Sequence, residues 1–291
     1  MNLDVTPRRY RVARRLVRGL SVLGLWQRKA IVEGALRGLF GDTVEADGHL
    51  LYVEPHDRAV GARLRRRGVW AAAETALCKR EIKPGMQVLD VGANIGYFTL
   101  LFARLVGPSG HVHAFEPEPR NLELLQRNIA RNSYTNVTAV PKAVSRTSGR
   151  QRLYKSPDNL GDHRLAHGTA GRAAIDVSVV TLDAFLGDAR VDFIKLDIQG
   201  AECAAVQGAR QLIARSAPLC LITEFWPAGM RAFGDDPEQY LQELSALGFG
   251  IAVIAPGARP ELISLDGAAA LHELVQRNRE VDLFCRKIVS G

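Results

Sequence analysis

The sequence contains neither G-x-G-x-x-G nor G-x-x-x-x-G-K-[ST], which excludes the two common glycine-rich phosphate cradles. No apolar run reaches the roughly 18 residues needed to span a bilayer. The short stretch Gly19 to Trp26 is not followed by a small-residue cleavage site. Only four cysteines occur, Cys78, Cys203, Cys220 and Cys285, each alone in apolar surroundings, with no C-x-x-C and no histidine at metal-ligand spacing. That pattern favours reduced core thiols over disulfides or zinc, and no residue is assigned to a metal site. Together these absences predict a cytoplasmic protein.

What is present is ordinary in amount and uneven in placement. The apolar fraction of 47% and charged fraction of 24% suit a globular protein, and 291 residues suffice for one α/β domain with an appendage. Residues 1–80 hold 16 Lys and Arg against 8 Asp and Glu, a balance of +8, and the remainder carries −1 of the total +7. Between Arg8 and Arg37 the basic residues alternate with Leu16, Leu20, Leu23, Trp26, Ile31 and Phe40 nearby, as in one or two amphipathic helices. Such a segment could lie on an anionic membrane surface or touch nucleic acid, or it could cover the sheet or a partner subunit with its arginines in water. The expected organisation is a basic extension over residues 1–82 and a catalytic body over 83–291.

Thr43 to Val53 alternates apolar positions around Asp47-Gly48, a hairpin signal. Val69 to Ile82 reads as a helix that leads through Pro84-Gly85 into the first strand. From Gln87 onward, strand-like runs alternate with helical ones, the signature of a parallel sheet with crossover helices. The strands expected are Val88 to Val91, His111 to Phe115, Val137 to Val140, Phe193 to Leu196, Leu219 to Thr223, Gly250 to Ile254 and Val281 to Arg286. Helices are expected over Tyr97 to Val106, Pro119 to Arg131, Ala201 to Ala214, Pro237 to Leu247 and Ala268 to Arg277. Two further runs, Gln151 to Tyr154 and Ile175 to Val180, break the alternation. They bracket a long polar loop, Lys155 to Arg172, of the kind that often forms a lid.

The chemistry concentrates in Q-V-L-D-V-G-A-N-I-G-Y-F-T, Gln87 to Thr99: a strand, a tight turn and a helix start. Gly92 and Gly96 lack a Cβ, so a ligand can lie against the loop that includes Ala93, Asn94 and Tyr97. Asp90 at the strand end suits a ligand that carries positive charge and no phosphate, and S-adenosyl-L-methionine, with its sulfonium and α-amino groups, is such a ligand. Glu116 ends the next strand in H-V-H-A-F-E-P, followed by Pro117, where a carboxylate can accept both ribose hydroxyl protons. Asp197 and Glu224 end the fourth and fifth strands at the same edge; Asp197 could contact the methionine end of the cofactor, the substrate hydroxyl or a metal, and Glu224 the substrate. For the methyl transfer to a hydroxyl that a family resemblance of these motifs implies, oxygen, carbon and sulfur must be aligned and a proton removed. His163, in the long loop, is the residue type that titrates nearest neutrality, which makes it the expected base, with Asp197 orienting the reacting groups.

Three runs, D-V-G-A-N-I-G-Y-F-T, K-L-D-I-Q-G-A-E and D-N-L-G-D-H-R-L, resemble the motifs of the FkbM-type S-adenosylmethionine-dependent methyltransferases. The resemblance covers roughly Gly68 to Phe249. It implies the α/β class I methyltransferase fold, Rossmann-like, with a seven-stranded mostly parallel sheet, helices on both faces and a last strand inserted antiparallel. It also implies main-chain contacts from Lys142 and Ala143 to adenine, and a hydroxyl acceptor on a sugar, glycolipid or polyketide-type natural product. Two rivals stay open: methylation of nucleic acid or protein, and a scaffold that binds the cofactor without turnover. The lack of an N-P-P-Y-like or D-P-P-Y-like run after the fourth strand argues against base N-methylation.

Overall fold

The computed structural model describes residues 42–54, 57, 59–157, 159–165, 171–257 and 260–287. The basic amphipathic stretch Arg8 to Arg37 lies outside the described residues, as do Asp158 and residues 166–170 of the long loop. No helix among the described residues is long and apolar enough to cross a membrane.

The Asp47-Gly48 pair turns the chain where the sequence expects it, with both residues at positive φ, 47° and 82°. This is the turn geometry that joins β1 (Thr43–Ala46) to antiparallel β2 (His49–Tyr52) without splaying the strands. Helix α1 (Val60–Arg67) ends at Gly68 in the left-handed conformation, and α2 (Ala72–Glu81) follows. Val44, Leu51, Leu64 and Leu77 join Val88, Phe98 and Phe102 in one apolar cluster, so residues 43–82 share a core with the sheet.

Strands β3 (Gln87–Val91), β4 (His111–Phe115) and β5 (Val137–Val140) alternate with α3 (Tyr97–Val106) and α4 (Pro119–Arg131). The two runs that break the alternation leave the main sheet: β6 (Ala143–Val144), β7 (Gly149–Tyr154) and β8 (Ala174–Val180) form a separate three-stranded sheet ordered β6-β8-β7. The chain then continues through α5 (Leu182–Leu186), β9 (Phe193–Leu196), α6 (Glu202–Gln207), α7 (Arg210–Arg215), β10 (Leu219–Phe225), α8 (Pro227–Phe233) and α9 (Pro237–Ala246). It ends with β11 (Gly250–Ala255), β12 (Glu261–Ser264), α10 (Gly267–Arg277) and β13 (Val281–Lys287). The main sheet has the order β12-β11-β13-β10-β9-β3-β4-β5. Strands β3, β4, β5, β9 and β10 run parallel, and β13 inserts antiparallel between β10 and β11. All seven expected strands and the antiparallel insertion are present, which is the class I methyltransferase arrangement.

Two features depart from the sequence reading. An eighth strand, β12, pairs antiparallel with β11 at the sheet edge. The helix expected over Ala201 to Ala214 is broken at Gly208, where a Cβ would lie 2.2 Å from the carbonyl oxygen of Ser145. Close approach of the small sheet at that point leaves no room for a side chain and divides the helix into α6 and α7.

Alternation along the strands sorts side chains between two faces. Leu89 and Val91 of β3 and Ile194 and Leu196 of β9 belong to one apolar cluster, Val88 and Phe193 to the other. The second face also receives Asp90 and Lys195, under α2 and α3. Helix α4 reaches across to the hairpin through Asn128 and Asn132, one turn apart. The Asn128 amide bonds the main chain of Tyr52 (Oδ1 to N–H, 2.6 Å; Nδ2 to C=O, 3.1 Å). The Asn132 amide does the same for Leu50, at 3.1 and 2.8 Å.

Candidate active site

The carboxyl ends of β3, β4, β9 and β10 open onto two adjoining cavities. The smaller is lined by Gly92, Asn94, Glu116, Pro117, Lys142, Ala143, His163 and Asp197, all expected site residues, together with Asn121 and Gln199. The larger, about 980 Å³, is lined by Asp90, Gly92, Ala93, Asn94, Tyr97, Asp197 and Glu224, with Trp70, Lys195 and Trp226. Gly92, Asn94, Gly161, Asp197 and Gln199 border both, so the cavities meet over the β3 and β9 turns. Gly96 lines neither. At φ 94° it caps α3, and a Cβ there would meet Leu125 at 2.6 Å, so this glycine serves the packing of α3 on α4.

The β3 turn explains its glycine. Gly92 has φ 87°, and a Cβ on it would lie 2.0 Å from the carbonyl oxygen of Asp197. Two further turn residues occupy the left-handed region without being glycine, Asn94 at φ 51° and Gln199 at φ 58°. Strain of this kind costs about 1–3 kcal/mol per residue and persists where surrounding structure holds it. Here the holding groups are visible: Asn94 N–H donates to Glu116 (2.8 Å), and its Nδ2 donates to the carbonyl of Leu160 (2.8 Å). Gln199 Nε2 donates to Asp197 (3.1 Å) and to both oxygens of Glu224 (3.1 and 3.2 Å), tying the ends of β9 and β10 together.

Glu116 is buried and accepts from the main-chain N–H groups of Asn94 and, at 2.9 Å, Glu118. Burial nevertheless pushes its carboxyl up to about 7, with the two amide bonds opposing. Asp90 is 1% exposed and accepts from the Thr99 hydroxyl at 2.5 Å. Burial pushes it up to about 6, and Lys195 opposes.

Lys195 was not singled out in the sequence, because a lysine inside F-I-K-L reads as an exception in an apolar strand. It is 3% exposed, with Nζ 2.9 Å from Asp197 Oδ2, 3.9 Å from Glu74 and 4.5 Å over the Phe98 ring. Burial works against its charge, but Asp197, Glu74 and Asp90 outweigh this and its pKa rises. Burial likewise works against the Asp197 charge, and Lys195 overrides it, holding that carboxylate below its usual range. The remaining acids go the other way. Burial and then Asp197 push Glu224 well up, burial and then Asp282 push Glu74 well up, and burial pushes Asp282 up to about 6. The site therefore holds one fixed anion, Asp197, among carboxyls displaced toward neutrality.

The loop motif forms a strap over both cavities. Asn159 Oδ1 accepts from Gly161 N–H (2.9 Å), and the Leu160 carbonyl accepts from Asn94 and, at 3.1 Å, from Asn121. Asp162 binds Arg164 (2.5 Å) and Arg172 (2.7 Å), and Arg164 stacks 4.3 Å over Trp226. His163 Nδ1 accepts from the main-chain N–H of Ser156 at 3.1 Å. The structure thus brings Asp197 and Glu224 together through Gln199, and places His163 on the smaller cavity, which Asp197, Glu116 and Lys142 also line, and not on the larger one that Glu224 lines. Burial lowers the His163 pKa.

A sequence model described as the methyltransferase FkbM domain matches residues 90–251, just over half of the chain. Among curated proteins, the 31-O-demethyl-FK506 methyltransferase FkbM of Streptomyces tacrolimicus is 44% identical over 78 residues, 27% of this chain and 29% of that protein. A protein-L-isoaspartate O-methyltransferase of Methanothrix thermoacetophila is 43% identical over 60 residues, 21% of this chain and 29% of that protein. The chain thus matches less than a third of the length of each of these two relatives. Among solved structures, methyltransferase FkbM from Methylobacillus flagellatus KT aligns at TM-score 0.44 and 18% identity, over 69% of this chain and 43% of that one.

Proposed function

The chain belongs to the FkbM methyltransferase domain family, and from that premise we propose that it transfers a methyl group from S-adenosylmethionine to a hydroxyl of a sugar, glycolipid or polyketide-type acceptor. The observation that carries this reading is the pair of cavities that share the rim of Gly92, Asn94, Asp197 and Gln199.

The smaller cavity is lined by the groups that the adenosyl half of the cofactor calls for. Two of its polar atoms, Asn121 Oδ1 and His163 Nε2, are buried without a hydrogen-bond partner among the described residues, as expected of groups awaiting a ligand. Glu116 would accept from the ribose hydroxyls, and the backbone at Lys142 and Ala143 would border the adenine. The bare backbone at Gly92 would pass beneath the ligand, and the fixed anion of Asp197 would face its positive charge. When bound, S-adenosylmethionine supplies an electrophilic methyl group on a sulfonium.

The larger cavity is the acceptor side. Glu224 lines it and is 8% exposed, with a carboxyl whose raised affinity for protons suits it to take one from a hydroxyl. Gln199 fixes that carboxyl relative to Asp197, and the strap between Asn159 and Leu165 borders both cavities. Trp226, under Arg164, anchors the strap on the acceptor side.

Calorimetry tests the cofactor half: S-adenosylmethionine and S-adenosylhomocysteine should bind, and NAD and ATP should not. Incubation with methyl-labelled cofactor and a panel of hydroxylated acceptors tests the rest. Absence of cofactor binding refutes the proposal outright, and binding without labelling of any hydroxyl leaves a scaffold in its place.

A further inference from the structure

Of the two unpartnered buried atoms in the smaller cavity, the one on His163 has a determinate protonation. A main-chain N–H can only donate, so the bond from Ser156 makes Nδ1 an acceptor. In a neutral imidazole the proton then resides on Nε2. The unpartnered atom is therefore an N–H donor on a residue that lines the cavity, where the other unpartnered atom, Asn121 Oδ1, is an acceptor on a residue 1% exposed.

The ring is also held. The neighbouring Arg164 pairs its main chain with Tyr154 (N–H to O, 3.0 Å; O from N–H, 2.8 Å), and the Leu160 carbonyl is bonded by Asn94 and Asn121. A base for the acceptor hydroxyl would need a free nitrogen lone pair facing the larger cavity. Here the only lone pair is already engaged by Ser156, and the ring borders the other cavity.

We propose that His163 is a cofactor-binding residue: a fixed Nε2–H donor to an acceptor atom of the adenosyl group, with Asn121 Oδ1 offering the complementary acceptor. This inference rests on the methyl-transfer reading above, but it reassigns the loop histidine from proton removal to ligand recognition. It also accounts for the place of the D-H-R run on a strap that borders the smaller cavity.

The test uses the full chain and S-adenosylhomocysteine, which cannot react. His163→Leu should weaken its binding by about 3- to 10-fold, the range of one net hydrogen bond. His163→Gln, whose side-chain amide keeps a donor, should recover affinity for S-adenosylhomocysteine to within about 2-fold. Nitrogen NMR of the imidazole in the unaltered protein gives an independent readout that survives any folding defect in a variant. The free protein should show the Nε2–H tautomer, and the Nε2 resonance should move when S-adenosylhomocysteine is added. Unchanged affinity in His163→Leu, or an Nδ1–H tautomer, overturns the proposal. So does a His163→Gln enzyme that keeps its affinity but loses turnover by about 10²- to 10⁴-fold, the mark of a missing base. If the unaltered protein binds no S-adenosylhomocysteine, the methyl-transfer reading fails and this inference with it. Normal binding with indifferent His163 variants sinks this inference alone.

Discussion

Replacing Lys195 with methionine would keep most of the buried stem and remove the charge that the sheet edge is arranged around. Lys195 Nζ is 2.9 Å from Asp197 and 3.9 Å from Glu74, and it opposes the upward shift of Asp90. Removing one partner of a buried ion pair costs about 3–5 kcal/mol, because the other charge stays desolvated. Asp197 is 34% exposed toward the cavity, so water relieves part of that cost and the lower end applies. At about 2–4 °C per kcal/mol for a domain of this size, the melting temperature should fall by roughly 6–12 °C at pH 7.5. The pH dependence gives the sharper check. In the unaltered protein the Asp197 carboxyl lies below its usual range, so its contribution is present above the unfolded value of 3.8 and is lost as pH falls through the folded one. Without Lys195 the carboxyl should be displaced upward by burial and accept a proton, which relieves the variant in acid. Melting curves from pH 8 to pH 4.5 should therefore converge. A variant that melts like the parent at pH 7.5, or a gap that widens in acid, would refute the assignment of Lys195 as the counter-charge.

Three further outcomes are expected. Since Glu116 must be ionised to accept from two ribose hydroxyls and burial pushes it up to about 7, affinity for S-adenosylhomocysteine should rise between pH 6 and 8, and Glu116→Gln should flatten that rise in calorimetry. Glu224→Gln should lower turnover by about 10²- to 10⁴-fold with cofactor affinity nearly unchanged; equal losses in both would make it a binding residue instead of the base. Gly92→Ala combines left-handed strain of about 1–2 kcal/mol with overpacking of about 1–3 kcal/mol against the Asp197 carbonyl, and should abolish cofactor binding. Gly234→Ala, at φ 101° with no atom within 4 Å of the added Cβ, should show the strain alone and bind normally; equal melting losses in the two would remove the close approach from the account.

The strands were legible because β3, β4, β9 and β10 are short apolar runs ending in an acid or a turn, and the order of helices between them admits few sheets. The eighth strand was not, because Glu261–Ser264 is four residues long and only half apolar. The break at Gly208 depends on Ser145, a contact between distant parts of the chain that no periodicity records. At the site, Gly92, Glu116, Asp197 and Glu224 could be read from their positions at strand ends. Lys195, Gln199, Asn121 and Glu74 could not, since each also has a partner remote in sequence: Glu74 and Lys195 face one another, Gln199 reaches Glu224, and Asn121 reaches Leu160. The non-glycine turn residues Asn94 and Gln199 carry their signal in φ, which the residue names do not give. His163 was found by its motif, but the Ser156 N–H that decides its proton lies in the backbone.

The two asparagines of α4 bear on how the molecule behaves at high concentration. A strand at the margin of a sheet is a template for another chain, because its outward N–H and C=O groups are open to pairing. In β2 those groups on Leu50 and Tyr52 are all taken by the side-chain amides of Asn132 and Asn128, which imitate a neighbouring strand. The β2 edge is thereby closed to strand addition, in a sheet of only two strands. Because the amides read main chain alone, residues of the hairpin can vary while this protection against self-association depends on two asparagines spaced by four.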